Sequence, residues 1–123
     1  MDSKGNRKGF SHWLTCFGFA ITGFFHAVRT ERNMKVHLAA SVIVMILMFV
    51  FHLGYMEKII LFIVIGIVLS LELVNTAIEH TVNLITEEQH PLAKLAKDTA
   101  AAAVLLFSAI AVVIAILIFL HHI

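Results

Sequence analysis

The sequence predicts an all-α integral membrane fold, with an N-terminal amphipathic surface helix followed by three transmembrane helices. Three observations carry that prediction. Hydrophobic residues make up 60% of the 123 positions and charged residues 14%, against roughly 45–50% and 25% in soluble domains. The mean hydropathy is +0.95. Apolar runs at 36–55, 58–78 and 99–120 approach the roughly 20 residues needed to cross a bilayer. Lipid offers no partner to backbone N–H and C=O groups, so such runs must be helical. The length fits a single domain, 1–123.

The elements follow in order. Phe10, Trp13, Leu14, Phe17, Ile21, Phe24, Phe25 and Val28 recur at three- and four-residue spacings, which predicts an amphipathic helix over 10–28. Its basic flanks and aromatic face fit a helix lying on the inner leaflet; packing against the bundle is the alternative. Gly18 and Gly23 weaken it slightly and leave room for a close neighbour. Gly54 and the Glu57–Lys58 pair predict a tight turn between the first two spans. Glu72 and Asn75 interrupt the second span late. Pro91 breaks the following loop before a helix resumes. Alanines 100–103 open the third span with small residues that favour close helix approach, and His121 and His122 form its polar end. Met45, Met48 and Met56 read as lipid-facing filler.

Eight of the nine lysines and arginines lie before the first span or between the second and third; Lys58 alone lies on the other side. The positive-inside rule therefore places the N-terminus and the 80–98 loop in the cytosol and the C-terminus outside. The polar first nine residues lack a signal-peptide pattern, so the spans are expected to direct insertion themselves. A net charge of +1 argues against nucleic acid as a partner. The single Cys16 forms no internal disulfide.

The residues that carry chemistry are acidic. Glu72, Asn75 and Glu79 are spaced by three and seven, on one helical face. Carboxylates at membrane depth are costly and mark functional sites. On the predicted topology Glu79 stands near the cytosolic end of the second span, with Glu72 about 10 Å deeper. Glu31 precedes the first span, and Lys97 and Asp98 open the third, all near the level of Glu79. Glu31 and Glu79 suit Mg²⁺, which takes oxygen ligands and is shared with substrate phosphates. Lys97 suits a phosphate, since phosphoryl transfer needs positioning and charge neutralisation. Glu72, partly desolvated, suits a general base acting on a hydroxyl at the membrane surface.

Each residue also has a structural reading: Glu72 as a helix-packing hydrogen bond, Glu31 as a surface charge, Lys97 and Asp98 as an interfacial ion pair, His80 and His90 as interfacial polar groups. No phosphate-binding Gly-rich loop or soluble-kinase signature is present. Two functions stay open from the residues alone: a membrane enzyme acting on a lipid head, and a small proton- or cation-coupled carrier with Glu72 and Glu79 as a relay. A carrier needs polar groups along its whole path. The outer halves of the spans offer His52, Ser41 and Ser108, and that asymmetry favours an enzyme facing the cytosol. A non-catalytic scaffold leaves the asymmetry unexplained.

Glu-Leu-Val-Asn-Thr-Ala-Ile-Glu at 72–79, then Ala-Lys-Asp at 96–98 and the alanine run, with Arg-Thr-Glu-Arg-Asn at 29–33, resembles the prokaryotic diacylglycerol kinase family of membrane lipid kinases over nearly the whole chain. Thr-Glu-Arg-Asn at 30–33, the run 70–82 and His-Pro-Leu-Ala-Lys at 90–94 are similar to its Gram-positive undecaprenol kinase branch. The resemblance implies ATP- and Mg²⁺-dependent phosphorylation of undecaprenol, with diacylglycerol the substrate of the Gram-negative branch. It implies a homotrimer in the bacterial plasma membrane with sites between subunits. It further implies Glu72 as the base that meets the lipid substrate, Glu31 and Glu79 as metal ligands, and ATP contacts from Glu31, Asn75, Glu79, Glu88, Gln89, His90, Lys97 and Asp98. His12 and Phe19 stand where the diacylglycerol kinase branch has Arg and Tyr, which removes those contacts from the expected set.

Overall fold

The computed structural model describes residues 9–123; Lys4, Arg7 and Lys8, used above to orient the chain, lie outside the described residues. Four helices follow one another: α1 Gly9–Thr30, α2 Arg32–Val50, α3 Tyr55–Ile85 and α4 Pro91–His121. The last three are long and apolar enough to cross a membrane.

α1 and α2 are separated by one residue. Glu31 adopts extended backbone angles (φ −98°, ψ 119°) and makes no side-chain capping bond. The break redirects the chain and leaves the Glu31 carboxylate uncommitted. Within α1, Phe10, Trp13, Leu14, Phe17 and Phe25 are exposed, while Ala27 is buried. The helix meets the bundle near its end, where the His26 and His80 rings lie 5.8 Å apart. Among the described residues nothing comes within 4 Å of a Cβ placed at Gly18 or Gly23, so none of them is the close neighbour expected there.

α2 stops at Val50, five residues before the predicted boundary. The cause is a local stop signal rather than hydropathy. His52 takes a positive φ of 52°. Its N–H donates to Phe49 O (3.3 Å), and the Leu53 N–H donates to Met48 O (3.2 Å). These are the paired bonds of a Schellman ending. The accompanying apolar contact is present too, because Leu53 and Met48 are buried in one cluster with Leu61. Met48, expected to face lipid, is therefore core; Met45 and Met56 are exposed as expected. Ile114, Ile118 and Phe119 of α4 pack on the same cluster, and Phe51 meets Phe119 edge to face at 5.5 Å.

The turn continues into a capped start for α3. Glu57 Oε1 accepts from the Gly54 N–H at 2.9 Å. The same oxygen lies 2.7 Å from His122 Nε2, so the end of α4 is tied to the beginning of α3. His122, expected as a simple polar end, has a defined partner. Lys58 sits over the Phe49 ring, 5.1 Å from its centroid.

That tie levels the three helices at one end and fixes where their excess length goes. α2 has 19 residues and spans about 28 Å, close to the hydrocarbon thickness of roughly 30 Å. α3 and α4 have 31 residues each, about 46 Å. Both extend past α2 by about 18 Å at the opposite end. The predicted limits of 78 and 99 were hydropathy limits; the helices run on to Ile85 and back to Pro91. His90 caps α4 by accepting from the Leu92 N–H at 3.1 Å, with Pro91 in the first turn, where a missing N–H costs nothing.

Candidate active site

The acidic stripe of α3 lies toward this projecting end. Glu72 is 1% exposed and Asn75 5%. Their spacing of three places them on the face that α3 turns toward its neighbours. Thr76 shares that face, and its hydroxyl donates to Glu72 O at 3.0 Å. The Asn75 amide reaches Glu79 Oε1 through a long contact of 3.5 Å. Glu79 itself is half-buried. Spacing had joined these three residues, and the structure keeps them on one stripe.

The partner of Glu72 is a residue the sequence reading passed over. His37 Nε2, on α2, lies 3.7 Å from Glu72 Oε2. Both line a cavity of about 200 Å³ with Asn33, Asn75, Ala101 and Ser108. Among the described residues, three buried side-chain atoms have no hydrogen-bond partner, and all belong to residues lining this space: Glu72 Oε2, Asn75 Oδ1 and Ser108 Oγ. Buried polar atoms are nearly always paired, and a group of exceptions calls for a ligand or a reacting group. Ala101, from the alanine run, keeps the cavity open where a larger residue would fill it. Ser108 had been grouped with polar residues of the outer half; it belongs to the Glu72 cavity. The only advance signal for His37 was an ionisable residue at the second position of an apolar run.

The other expected residues lie around this centre. Glu31 stands at the break between α1 and α2, and Glu79 lies two turns beyond Glu72 on α3. Asp98 pairs with Lys94 at 2.6 Å rather than with Lys97, and its side chain is 59% exposed. Lys97 is half-buried one residue earlier. Glu88, Gln89 and His90 form the exposed connection between α3 and α4; the Glu88 N–H donates to Thr86 Oγ1 at 3.1 Å. Among the described residues no three His, Cys, Asp or Glu side chains converge on a common metal position.

A buried carboxylate with a free oxygen, an imidazole beside it, and two further carboxylates toward the helix ends form a site for moving a proton next to a charged group. The sequence comparison decides which chemistry that is. The profile of the prokaryotic diacylglycerol kinase family matches residues 18–119. The chain belongs to that family. It is 49% identical to the undecaprenol kinase of Bacillus subtilis over 98% of both chains. It is 38% identical to a diacylglycerol kinase of Synechocystis over 82% of this chain and 58% of that one. It is 32% identical to the diacylglycerol kinase of Pseudomonas aeruginosa over 79% of each. As a member of the diacylglycerol kinase family this chain is a lipid kinase, and ATP is its phosphoryl donor. The carrier reading falls away, and the polar asymmetry that disfavoured it is accounted for.

Proposed function

We propose that this kinase phosphorylates undecaprenol at the cytosolic face of the bacterial plasma membrane. The observation that carries the chemistry is Glu72, buried at span depth with one oxygen free and facing a cavity. The choice of a polyprenol over diacylglycerol rests on the 49% identity to an undecaprenol kinase.

Glu72 takes the proton of the lipid hydroxyl as its oxygen bonds to the γ-phosphorus of ATP. The bond from that phosphorus to the bridging oxygen breaks, and ADP leaves. His37 stands beside Glu72 and offsets its charge when protonated. Glu31 and Glu79 present carboxylate oxygens free of strong hydrogen bonds, a donor set that fits Mg²⁺. Mg²⁺ held there would neutralise phosphate charge. Two protein ligands suffice, because this ion keeps waters and substrate oxygens in its shell. Asn75 orients Glu79. Lys97, Asp98, Glu88, Gln89 and His90 contact the nucleotide.

The same reading gives the assembly. A homotrimer covers the exposed apolar sides of the helices and brings the α3–α4 connection of one subunit to the carboxylates of the next. α1 lies along the inner leaflet with its aromatic stripe in the lipid, the N-terminus is cytosolic and the C-terminus outside. The test is direct. Detergent-solubilised protein is given labelled ATP, Mg²⁺ and separate lipid alcohols. Labelled polyprenyl phosphate in excess over phosphatidic acid is the expected result. Preference for diacylglycerol overturns the substrate assignment.

A further inference from the structure

The Glu72 cavity has a second compartment. An apolar groove of about 300 Å³ runs between α2, α3 and α4, lined by Ala40, Val44, Val64, Val68 and Ala111 among others. His37 and Ser108 line both the groove and the polar cavity, so the two spaces meet at these side chains. The groove extends along α3 from Val68 to Leu61, about 10 Å. Counted from the levelled end at Gly54, it occupies depths of about 10 to 21 Å, and Glu72 stands at about 27 Å. The groove thus leads from the buried carboxylate toward the middle of the hydrocarbon layer. Its walls Val36 and Val112 are more than half exposed, which opens it sideways to lipid.

We propose that this groove, within a single subunit, is the binding site for the hydrocarbon chain of the acceptor alcohol, and that Ser108 holds the acceptor hydroxyl beside Glu72. The inference deepens the kinase reading and rests on it for the identity of the alcohol. The occupant follows from the two ends. Away from Glu72 the lining is apolar apart from Ser41, whose hydroxyl already donates to His37 O at 2.7 Å. The other end presents a serine hydroxyl and a carboxylate oxygen, both buried and neither hydrogen-bonded, with His37 3.7 Å from the carboxylate. A linear chain ending in one hydroxyl satisfies both: its O–H donates to Glu72 Oε2 and its oxygen accepts from Ser108 Oγ. A narrow groove admits one chain, and so favours a prenyl alcohol over a lipid whose hydroxyl sits beside two acyl chains. A helix of a second copy would fill the apolar part and leave those oxygens unsatisfied.

The experiment has a kinetic arm and a binding arm. In the kinetic arm, Ser108→Ala is expected to raise KM for a short prenyl alcohol roughly fivefold, the size of one neutral hydrogen bond, with KM for ATP unchanged. Ser108→Thr, which keeps the hydroxyl, is expected to restore most of the loss. An unchanged alcohol KM in Ser108→Ala, or equal losses in Ala and Thr, overturns the role of Ser108. In the binding arm, a prenyl alcohol carrying a diazirine along its chain is photolysed with the intact protein without ATP, and labelled peptides are mapped. Labelling at Val44 and Ala111, lost in Ala111→Phe, supports the groove even if no phosphorylation of prenyl alcohols is found, in which case the kinase substrate reading alone fails. Phosphorylation without label in the groove overturns the groove and leaves the kinase reading standing. Efficient subunit-to-subunit disulfide formation by Ala111→Cys, with no probe capture, shows a second copy in the groove and overturns the proposal.

Discussion

Glu72 is the residue on which the chemistry turns, and its burial makes its two roles separable. Glu72→Gln keeps the shape and removes the base. Phosphoryl transfer is expected to fall by about 10²–10⁴-fold, the usual contribution of a positioned general base. Stability is expected to hold or rise, because replacing a buried charge by a neutral isostere removes a desolvation cost. Turnover with labelled ATP and thermal unfolding in detergent read the two effects; near-normal turnover sinks the assignment. His37 supplies the second prediction. Only 3.7 Å separates it from Glu72, so His37→Ala leaves the carboxylate without its neighbour and is expected to destabilise by up to about 1 kcal/mol, the scale of a partly exposed ion pair. In the Glu72→Gln background the same change is expected to cost much less. Additive effects in this double-mutant cycle would mean the two side chains do not interact. Glu72, Asn75 and Glu79 were legible in the sequence because one helix fixes their spacing. His37 and Ser108 were not, because they sit on two other helices and meet Glu72 only through the helix crossing.

At the scale of elements, hydropathy located all three spans and misplaced their ends. It reports where lipid begins, whereas the helices end where their backbone bonds are redirected. α3 and α4 continue beyond the apolar runs because nothing stops them before Thr86 and His90. α2 stops inside its apolar run because Val50-Phe51-His52-Leu53 forms a Schellman ending with a non-glycine at positive φ. That position yields a prediction. A left-handed conformation costs an ordinary residue about 1–2 kcal/mol, and glycine is free of it. His52→Gly is expected to raise the unfolding temperature while leaving turnover unchanged, since the turn lies at the end of the bundle away from Glu72. A lowered unfolding temperature would show that the His52 side chain contributes more than its backbone strain removes. The same ending explains why Met48 is core. Its carbonyl and side chain both receive Leu53, a contact that composition does not foretell.

For the whole molecule, the question is whether one chain holds a complete site. Asp98, expected near the membrane level of Glu79, is paired with Lys94 on its own helix and is largely exposed. That exposure is compatible with the proposed trimer, in which Asp98 would serve the carboxylates of the next copy. The arrangement is testable by mixing two inactive variants. Glu72→Gln and Asp98→Asn chains, each inactive alone, are co-assembled in equal amounts. If Glu72 and Asp98 of one site come from different subunits, random cyclic assembly gives about a quarter of the sites both native residues. Activity near that fraction of the native level is then expected to return on mixing. Separately purified variants combined without subunit exchange control for simple addition of residual rates. If both residues of a site come from one chain, every site in the mixed assembly carries a defect, and the mixture stays as inactive as its parts.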